Sequence, residues 1–268
     1  MFKSWFALAI LTSWAAMALI GPLLPLHPDS VDLQKIMAGP DAQAWLGYDD
    51  VGRPLLDRLI SGARISFFVS ILVVAISTVL GSLIGALAGY VGGAVDFVVS
   101  RVIDIFLAFP GILLVIALAG ILGPGIDNVI IAMSSVGWVG FARLARAQTL
   151  SLKTRDHVQA ARVLGTKPLT IVLRHILPLI SAPLIVEATF GIASVVIAEA
   201  GLSFLGLGVQ PPTASWGSMI RDGTAYMLVA SHIVIVPGVA LLLIVLSVNL
   251  LGDRLRDWLD VRTRLSAG

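Results

Sequence analysis

Long apolar runs separated by polar segments dominate this sequence. Most runs reach the roughly 20 residues that an α-helix needs to cross a bilayer, and none shows the two-residue alternation of an outer-membrane strand. The pattern predicts an all-α polytopic membrane protein with six transmembrane helices. The runs cover about 4–28, 65–89, 97–122, 129–143, 178–205 and 227–251, and the short fourth run is expected to continue as helix into water.

The polar segments suggest a division of the chain. We expect a first transmembrane helix at 1–26, a periplasmic or extracellular segment at 27–64, a five-helix core at 65–251 and a charged tail at 252–268. The second of these holds six aspartates and four basic residues, with Pro, Gly and Trp, which is typical of an ordered loop. A cleaved signal peptide is the alternative for the first run, but that run is longer than the usual apolar region of a signal.

The distribution of basic residues predicts the orientation. Six helices place both termini on one side of the membrane. The side that holds the termini also holds the polar loop at about 143–178. It carries 13 of the 18 Lys and Arg residues, and the other side carries 5. Because loops rich in Lys and Arg stay in the cytoplasm, both termini are predicted to be cytoplasmic. This also explains the basic loop without a nucleic-acid partner.

The centre of that cytoplasmic loop predicts a short helix, a turn and a second helix. Asp156 can cap a helix, with Gln159 three residues later as in a capping box. Gly165 supplies the left-handed residue that ends a helix, and Pro168 suits the first turn of the next one. A rigid unit outside the bilayer is expected to contact a partner.

Small residues and a proline within the runs indicate where helices pack closely and where one bends. Gly81, Gly85 and Gly89 share one helix face, which favours close helix packing in lipid. A kink is expected where the third run contains Phe109-Pro110-Gly111.

A charged side chain in an apolar run costs free energy within the bilayer. Each such residue therefore suggests a position on a translocation path or an ion pair inside the protein. Asp104 lies three residues from Arg101 and is expected to pair with it near the interface. Glu199 is the stronger candidate for an acid that faces a path or a partner, and Glu187 is a further candidate with no preferred role.

Composition limits the chemistry. The 268 residues are 57% hydrophobic and 13% charged, and there is no cysteine. The four histidines lack zinc-site spacing, and no phosphate-cradling Gly-x-x-x-x-Gly-Lys loop is present. We therefore expect no catalytic residues, no metal site and no cofactor held by this chain. An intramembrane protease, with Asp104 and Glu199 as its acids, is a distant alternative.

Three stretches resemble one family. Gln159-Ala160-Ala161, Gly165 and His175-Ile176-Leu177-Pro178 resemble the EAA loop of binding-protein-dependent ABC importer permeases, with Gln159 in place of the usual Glu and His175 at a usually apolar position. The segment with Trp45, Gly47, Asp49, Gly52 and Arg53 resembles the periplasmic motif of peptide and nickel importer permeases, with Tyr48 and Pro54 as departures. The segment from Glu199 to Trp216-Gly217 resembles their helix-five signature. Together they resemble the C-type permease subunit of the dipeptide/oligopeptide/nickel family.

The resemblance implies a type I ABC importer permease fold in a bacterial inner membrane. A cytoplasmic coupling helix would dock into an ATPase subunit, and the residues implied in this coupling are Asp156, Gln159, Ala160, Ala161, Arg162, Gly165 and Lys167. Implied partners are a homologous second permease subunit, two ATP-binding subunits that hold ATP and Mg²⁺, and a periplasmic or lipid-anchored substrate-binding protein.

The same resemblance leaves the substrate class open. Small peptides are ranked first, and nickel or a metal chelate is the alternative. An ion-driven secondary transporter is a distant alternative that predicts an internal inverted repeat, and no such repeat is visible in the sequence.

Overall fold

A computed structural model of the chain describes residues 2–259, with side chains from residue 5 onward. The last nine residues of the predicted tail, 260–268, and the side chain of Lys3 lie outside the described part. Within it, ten α-helices carry most of the chain. They are α1 (Phe2–Ile20), α2 (Leu55–Val91), α3 (Gly93–Leu107), α4 (Gly111–Leu122), α5 (Ile126–Leu152), α6 (Asp156–Val163), α7 (Pro168–Ile171), α8 (Leu177–Phe204), α9 (Trp216–Thr224) and α10 (His232–Leu259).

The helices confirm the predicted all-α membrane architecture. Five helical stretches are long and apolar enough to cross a membrane, the fourth being α7 and α8 joined by a π-helical turn at Val172–Ile176. A sixth span results if α3 and α4 count together. These two meet at 87° around Phe109-Pro110, where Pro110 cannot continue the helix. The predicted kink is therefore a sharp break.

Several boundaries differ from the sequence prediction. α2 begins at Leu55, ten residues earlier than expected, because Asp57 and Arg58 of its first turn bond to the preceding loop. The polar stretch between the fifth and sixth predicted runs contains α9, whose capping box joins Ser215 and Ser218. α10 begins at His232 rather than at 227, and it continues to Leu259. Hydropathy detects none of these features because charges and caps, not apolar residues, define them.

The chain divides into two compact units. The first comprises residues 1–72, 116–130 and 192–251. Its core is built around two tryptophans, Trp14 of α1 and the fully buried Trp216 of α9, whose ring centroids lie 6.4 Å apart. Their indole N–H groups donate to the α2 carbonyls of Ala63 at 3.1 Å and Leu59 at 3.0 Å. A buried indole N–H needs such an acceptor, so this arrangement fixes α1 and α9 on α2.

The second unit comprises residues 73–115 and 131–191 and the end of α10 from Gly252. Its apolar cluster includes Ile103 of α3 with Val139 and Ala142 of α5, and the rings of Phe106 and Trp138 make an edge-to-face contact at 5.8 Å. A bidentate ion pair joins Arg146 of α5 to Asp96 in the first turn of α3. The apolar cluster and the ion pair together attach α3 to α5.

Close packing of α2 on α5 confirms the predicted glycine face, which we call the glycine seam: Gly81, Gly85 and Gly89. A Cβ atom at Gly81 or Gly85 would collide with the carbonyl of Trp138 or Ala142, and one at Gly89 would lie 3.0 Å from the carbonyl oxygen of Arg146. Only glycine allows two helix backbones to approach this closely.

The glycine seam predicts a large difference between two Gly→Ala substitutions. Gly85→Ala forces α2 away from α5 and should destabilise the protein by about 1–3 kcal/mol. Gly120→Ala in α4 is the matched control, because nothing lies within 4 Å of its added Cβ atom, and it should be neutral or slightly stabilising. Thermal unfolding of the purified variants in detergent measures both, and equal midpoints would contradict the role of the seam.

Candidate functional site

The predicted coupling segment folds as a short helix and a tight turn. α6 ends in a Schellman motif, in which the N–H of Gly165 donates to the carbonyl of Arg162 at 3.0 Å and the N–H of Thr166 donates to that of Ala161 at 3.1 Å. Gly165 has φ +77°, the left-handed conformation that the sequence predicted. Pro168 then begins α7. The turn therefore has one defined shape.

The predicted capping box is wrong. Arg155 occupies the cap position without a side-chain hydrogen bond, and Asp156 is the first helical residue. There its charge still favours the positive end of the helix dipole. The Gln159 side chain donates instead to the backbone carbonyl of Lys153 at 2.7 Å. Gln159 thus fastens α6 to the end of α5.

α6 presents an apolar tip to its surroundings. Val158 and Ala161 are buried within the second unit, whereas Val163 is 85% exposed and Leu164 is 83% exposed. Ala160, Arg162 and Lys167 are also exposed. Exposed apolar side chains next to basic ones are typical of a contact surface. Ala161 does not belong to this surface, because it faces inward.

The predicted periplasmic motif forms a turn around Asp49. Its buried carboxylate accepts hydrogen bonds from the backbone N–H groups of Val51 at 3.0 Å and Arg53 at 2.8 Å, and from Arg53 Nε at 2.6 Å. Gly47 and Gly52 have φ of +84° and +83°. A Cβ atom at Gly52 would collide with the carbonyl of Asp32. These glycines are therefore required by the turn itself.

Arg58, which belongs to the stretch that resembles the periplasmic motif but was not predicted to pair with Asp49, completes this turn. It is 3% exposed, and its Nε lies 3.3 Å from Asp49 Oδ2. Its Nη1 lies 3.7 Å from Asp29 Oδ1 and donates to the carbonyl of Pro28 at 3.3 Å. A buried guanidinium needs such partners. The Asp49–Arg58 pair thus joins the loop to the first turn of α2.

A second polar cluster stabilises the same loop. Lys35 Nζ donates to Tyr48 Oη at 2.8 Å and lies 3.5 Å from Asp41. The hydrogen bond to Tyr48 raises the pKa of Lys35, and a hydrogen bond from the backbone N–H of Ala44 lowers the pKa of Asp41. Burial, followed by the nearby Asp49 carboxylate, raises the pKa of Asp50. Trp45 is exposed beside this loop and is free to contact a partner.

The three acids that the sequence proposed for a path lie in different environments. Glu199 is 1% exposed, and it accepts hydrogen bonds from Ser66 of α2 at 2.9 Å and from Ser203 of α8 at 2.8 Å. This enclosed position differs from the expected position facing a path or a partner, because the serines satisfy the carboxylate inside the first unit. Glu187 is exposed on α8. Asp104 is exposed and lies 3.6 Å from Arg101, as predicted for that pair.

Residues 81–265 match the family described as "Binding-protein-dependent transport system inner membrane component". Over 233 residues, 87% of this chain and 77% of the relative, the chain is 46% identical to the glutathione transport system permease protein GsiD of Shigella flexneri serotype 5b (strain 8401). It is 44% identical, with the same coverage, to the protein of that name from Escherichia coli O157:H7.

A solved structure of the MetNI methionine ABC transporter in an inward-facing conformation is also similar. The TM-score is 0.61, and the match covers 77% of this chain and 98% of the other chain. Sequence identity is 21%, so the likeness concerns the fold alone.

The Asp49–Arg58 pair predicts that alanine substitutions at two aspartates destabilise the protein to different extents. Asp49→Ala leaves the buried Arg58 without its closest charged partner and should cost about 3–5 kcal/mol. Asp29→Ala removes a half-exposed partner at 3.7 Å and should cost less than about 1 kcal/mol. Thermal unfolding in detergent compares the two, and a similar loss in both variants would mean that the pair does not organise the loop.

Proposed function

Because the chain belongs to the family of binding-protein-dependent transport system inner membrane components, we propose that it forms half of the translocation path of an ATP-driven importer for small peptides. The predicted resemblance to the inner-membrane permeases of binding-protein-dependent ABC importers is thereby confirmed. The chain is a transport component and not an enzyme, and its fold is that of an ABC importer permease.

The apolar tip of α6 carries the proposal. Val163 and Leu164 are exposed outside the membrane-spanning stretches and next to a turn of fixed shape. We place this tip in a groove of an ATPase subunit, where its apolar side chains become buried and Arg162 and Lys167 contact the rim. Gln159 and the buried Ala161 hold α6 on the side away from this tip, and Asp156 lies at the favourable positive end of the helix dipole.

The proposed mechanism is alternating access. Two ATPase subunits bind ATP with Mg²⁺ and close, and α6 moves with them as a rigid element. ATP shifts the permease between its two states only to the extent that the ATPases bind it more tightly in one of them. The path requires a homologous second permease subunit, since this chain supplies only half of it.

Orientation and the extramembrane loop supply the remaining parts of the proposal. The excess of basic residues around α6 supports a cytoplasmic position for that helix and for both termini. The Asp49–Arg58 turn then lies outside the cytoplasm, with Trp45 exposed. There it would meet a substrate-binding protein that delivers the peptide.

The substrate proposal rests on the relatives. They are named as glutathione permeases, and glutathione is a tripeptide. An identity of 46% over most of the chain supports a substrate of similar size and chemistry. We therefore place small peptides, including glutathione, ahead of metal chelates.

Purification of the complex tests this function. The tagged chain, extracted in mild detergent, should bring down two ATP-binding subunits and a second permease subunit. Candidate binding proteins loaded with glutathione, a dipeptide, a pentapeptide or a nickel–histidine chelate should then be compared as stimulators of ATP hydrolysis. Stimulation by a peptide supports the proposal, stimulation by the nickel chelate alone contradicts the substrate class, and recovery of this chain without an ATPase contradicts the function.

The turn at Gly165 yields a matched pair of variants. Nothing lies within 4 Å of a Cβ atom at this position, so only the left-handed backbone limits substitution. Gly165→Val should cost about 1–2 kcal/mol in the turn and reduce peptide transport, because β-branched residues avoid this conformation. Gly165→Asn tolerates it and should retain most of the transport. Binding of the loaded binding protein should be unchanged in both, and equal transport by the two variants would refute the role of the turn.

A further inference from the structure

Lys153 lies where three helices of the second unit meet. It directly follows α5, and its N–H donates to the Thr149 carbonyl at 2.9 Å, so that its backbone continues that helix. Its Nζ donates to the carbonyl of Gly89 in the last turn of α2 at 3.1 Å. Its own carbonyl accepts the hydrogen bond from the Gln159 side chain of α6 at 2.7 Å. One residue therefore bonds to the ends of α2 and α5 and to a side chain of α6.

The bond to Gly89 has a clear physical basis. The last carbonyls of a helix lack partners within that helix, and a cation is favoured at this negative end. The ammonium group of Lys153 satisfies one of these carbonyls while it remains only partly buried. A charge-assisted hydrogen bond of this kind is stronger than one between neutral groups.

Contacts around Lys153 fix the helix ends that it joins. Gly89 belongs to the glycine seam, and it faces the Arg146 carbonyl and Thr149 of α5. Arg146 in turn holds α3 through Asp96. The ends of α2 and α5 are thus fixed relative to each other next to Lys153, and α6 is attached to them through the amide of Gln159.

We propose that Lys153 is a positioning residue that links α6 to the cytoplasmic end of α2, so that a displacement of α6 by an ATPase is passed on to α2. This inference rests on the proposed function. The two hydrogen bonds act in series: Gln159 connects α6 to Lys153, and the Lys153 ammonium connects that point to Gly89. Loss of either bond breaks the same connection.

Two variants separate the two bonds. Lys153→Met removes the ammonium group and keeps the backbone carbonyl that Gln159 contacts. Gln159→Ala removes the other bond. Lys153→Arg restores a cation within reach of Gly89. Arg174→Met is the matched control, because it removes an exposed basic side chain from the π-helical turn that follows α7.

The experiment uses the complete complex in proteoliposomes. ATP hydrolysis and uptake are measured together, with the binding protein and the peptide that gives the wild-type complex its highest stimulation. Lys153→Met should reduce the peptide transported per ATP by about threefold to tenfold, with ATP hydrolysis retained because the exposed tip of α6 is unchanged. Lys153→Arg should recover most of this ratio, and Arg174→Met should match the wild type.

The double variant tests whether the bonds act in series. Lys153→Met combined with Gln159→Ala should lose no more coupling than the stronger single variant, since both changes break one connection. A normal transport ratio in Lys153→Met, a ratio equally reduced in Arg174→Met, or independent effects that multiply in the double variant would overturn the inference. Absence of ATP-dependent uptake by the wild-type complex would instead refute the proposed function, and the inference with it.

Discussion

Close contact between the backbones of α2 and α5 is the constraint on which the second unit depends. In lipid there is little hydrophobic force between helices, so van der Waals contact and hydrogen bonds must hold them together. The glycine seam provides the contact, and its last member, Gly89, also exposes the carbonyl that Lys153 caps. Helix packing inside the membrane and the position of α6 outside it thus follow from the same face of α2.

The first unit depends on buried polar contacts, because it packs a polar segment next to apolar helices. Asp49 and Arg58 are both buried, and each satisfies the other's charge and several backbone groups. Trp14 and Trp216 bring α1 and α9 onto α2 through hydrogen bonds to its carbonyls. Glu199 follows the same rule, since serine hydroxyls satisfy its carboxylate within the unit. Each buried polar group in these clusters therefore joins two elements.

The sequence predicted features that depend on local chemistry or on composition. The spans, the break at Pro110, the left-handed turn at Gly165 and the packing role of Gly85 each follow from hydropathy, proline, glycine or residue spacing. Features that depend on distant partners could not be predicted. The sequence marked Arg58 as part of a motif but could not show that it pairs with the buried Asp49, and Gln159 contacts Lys153 rather than the start of its own helix. The enclosure of Glu199 likewise requires Ser66, which lies far away in sequence.

The central claim is that the tip of α6 contacts an ATPase subunit, and site-specific cross-linking tests it most directly. A photoreactive amino acid at Val163 in the intact membrane complex should form an adduct with an ATP-binding subunit, with a yield that changes when ATP is added. The same photoreactive amino acid at Leu228, which is fully exposed in the turn between α9 and α10, should form no adduct with that subunit. An active complex in which Val163 gives no such adduct, or in which Leu228 gives it equally, would contradict the account.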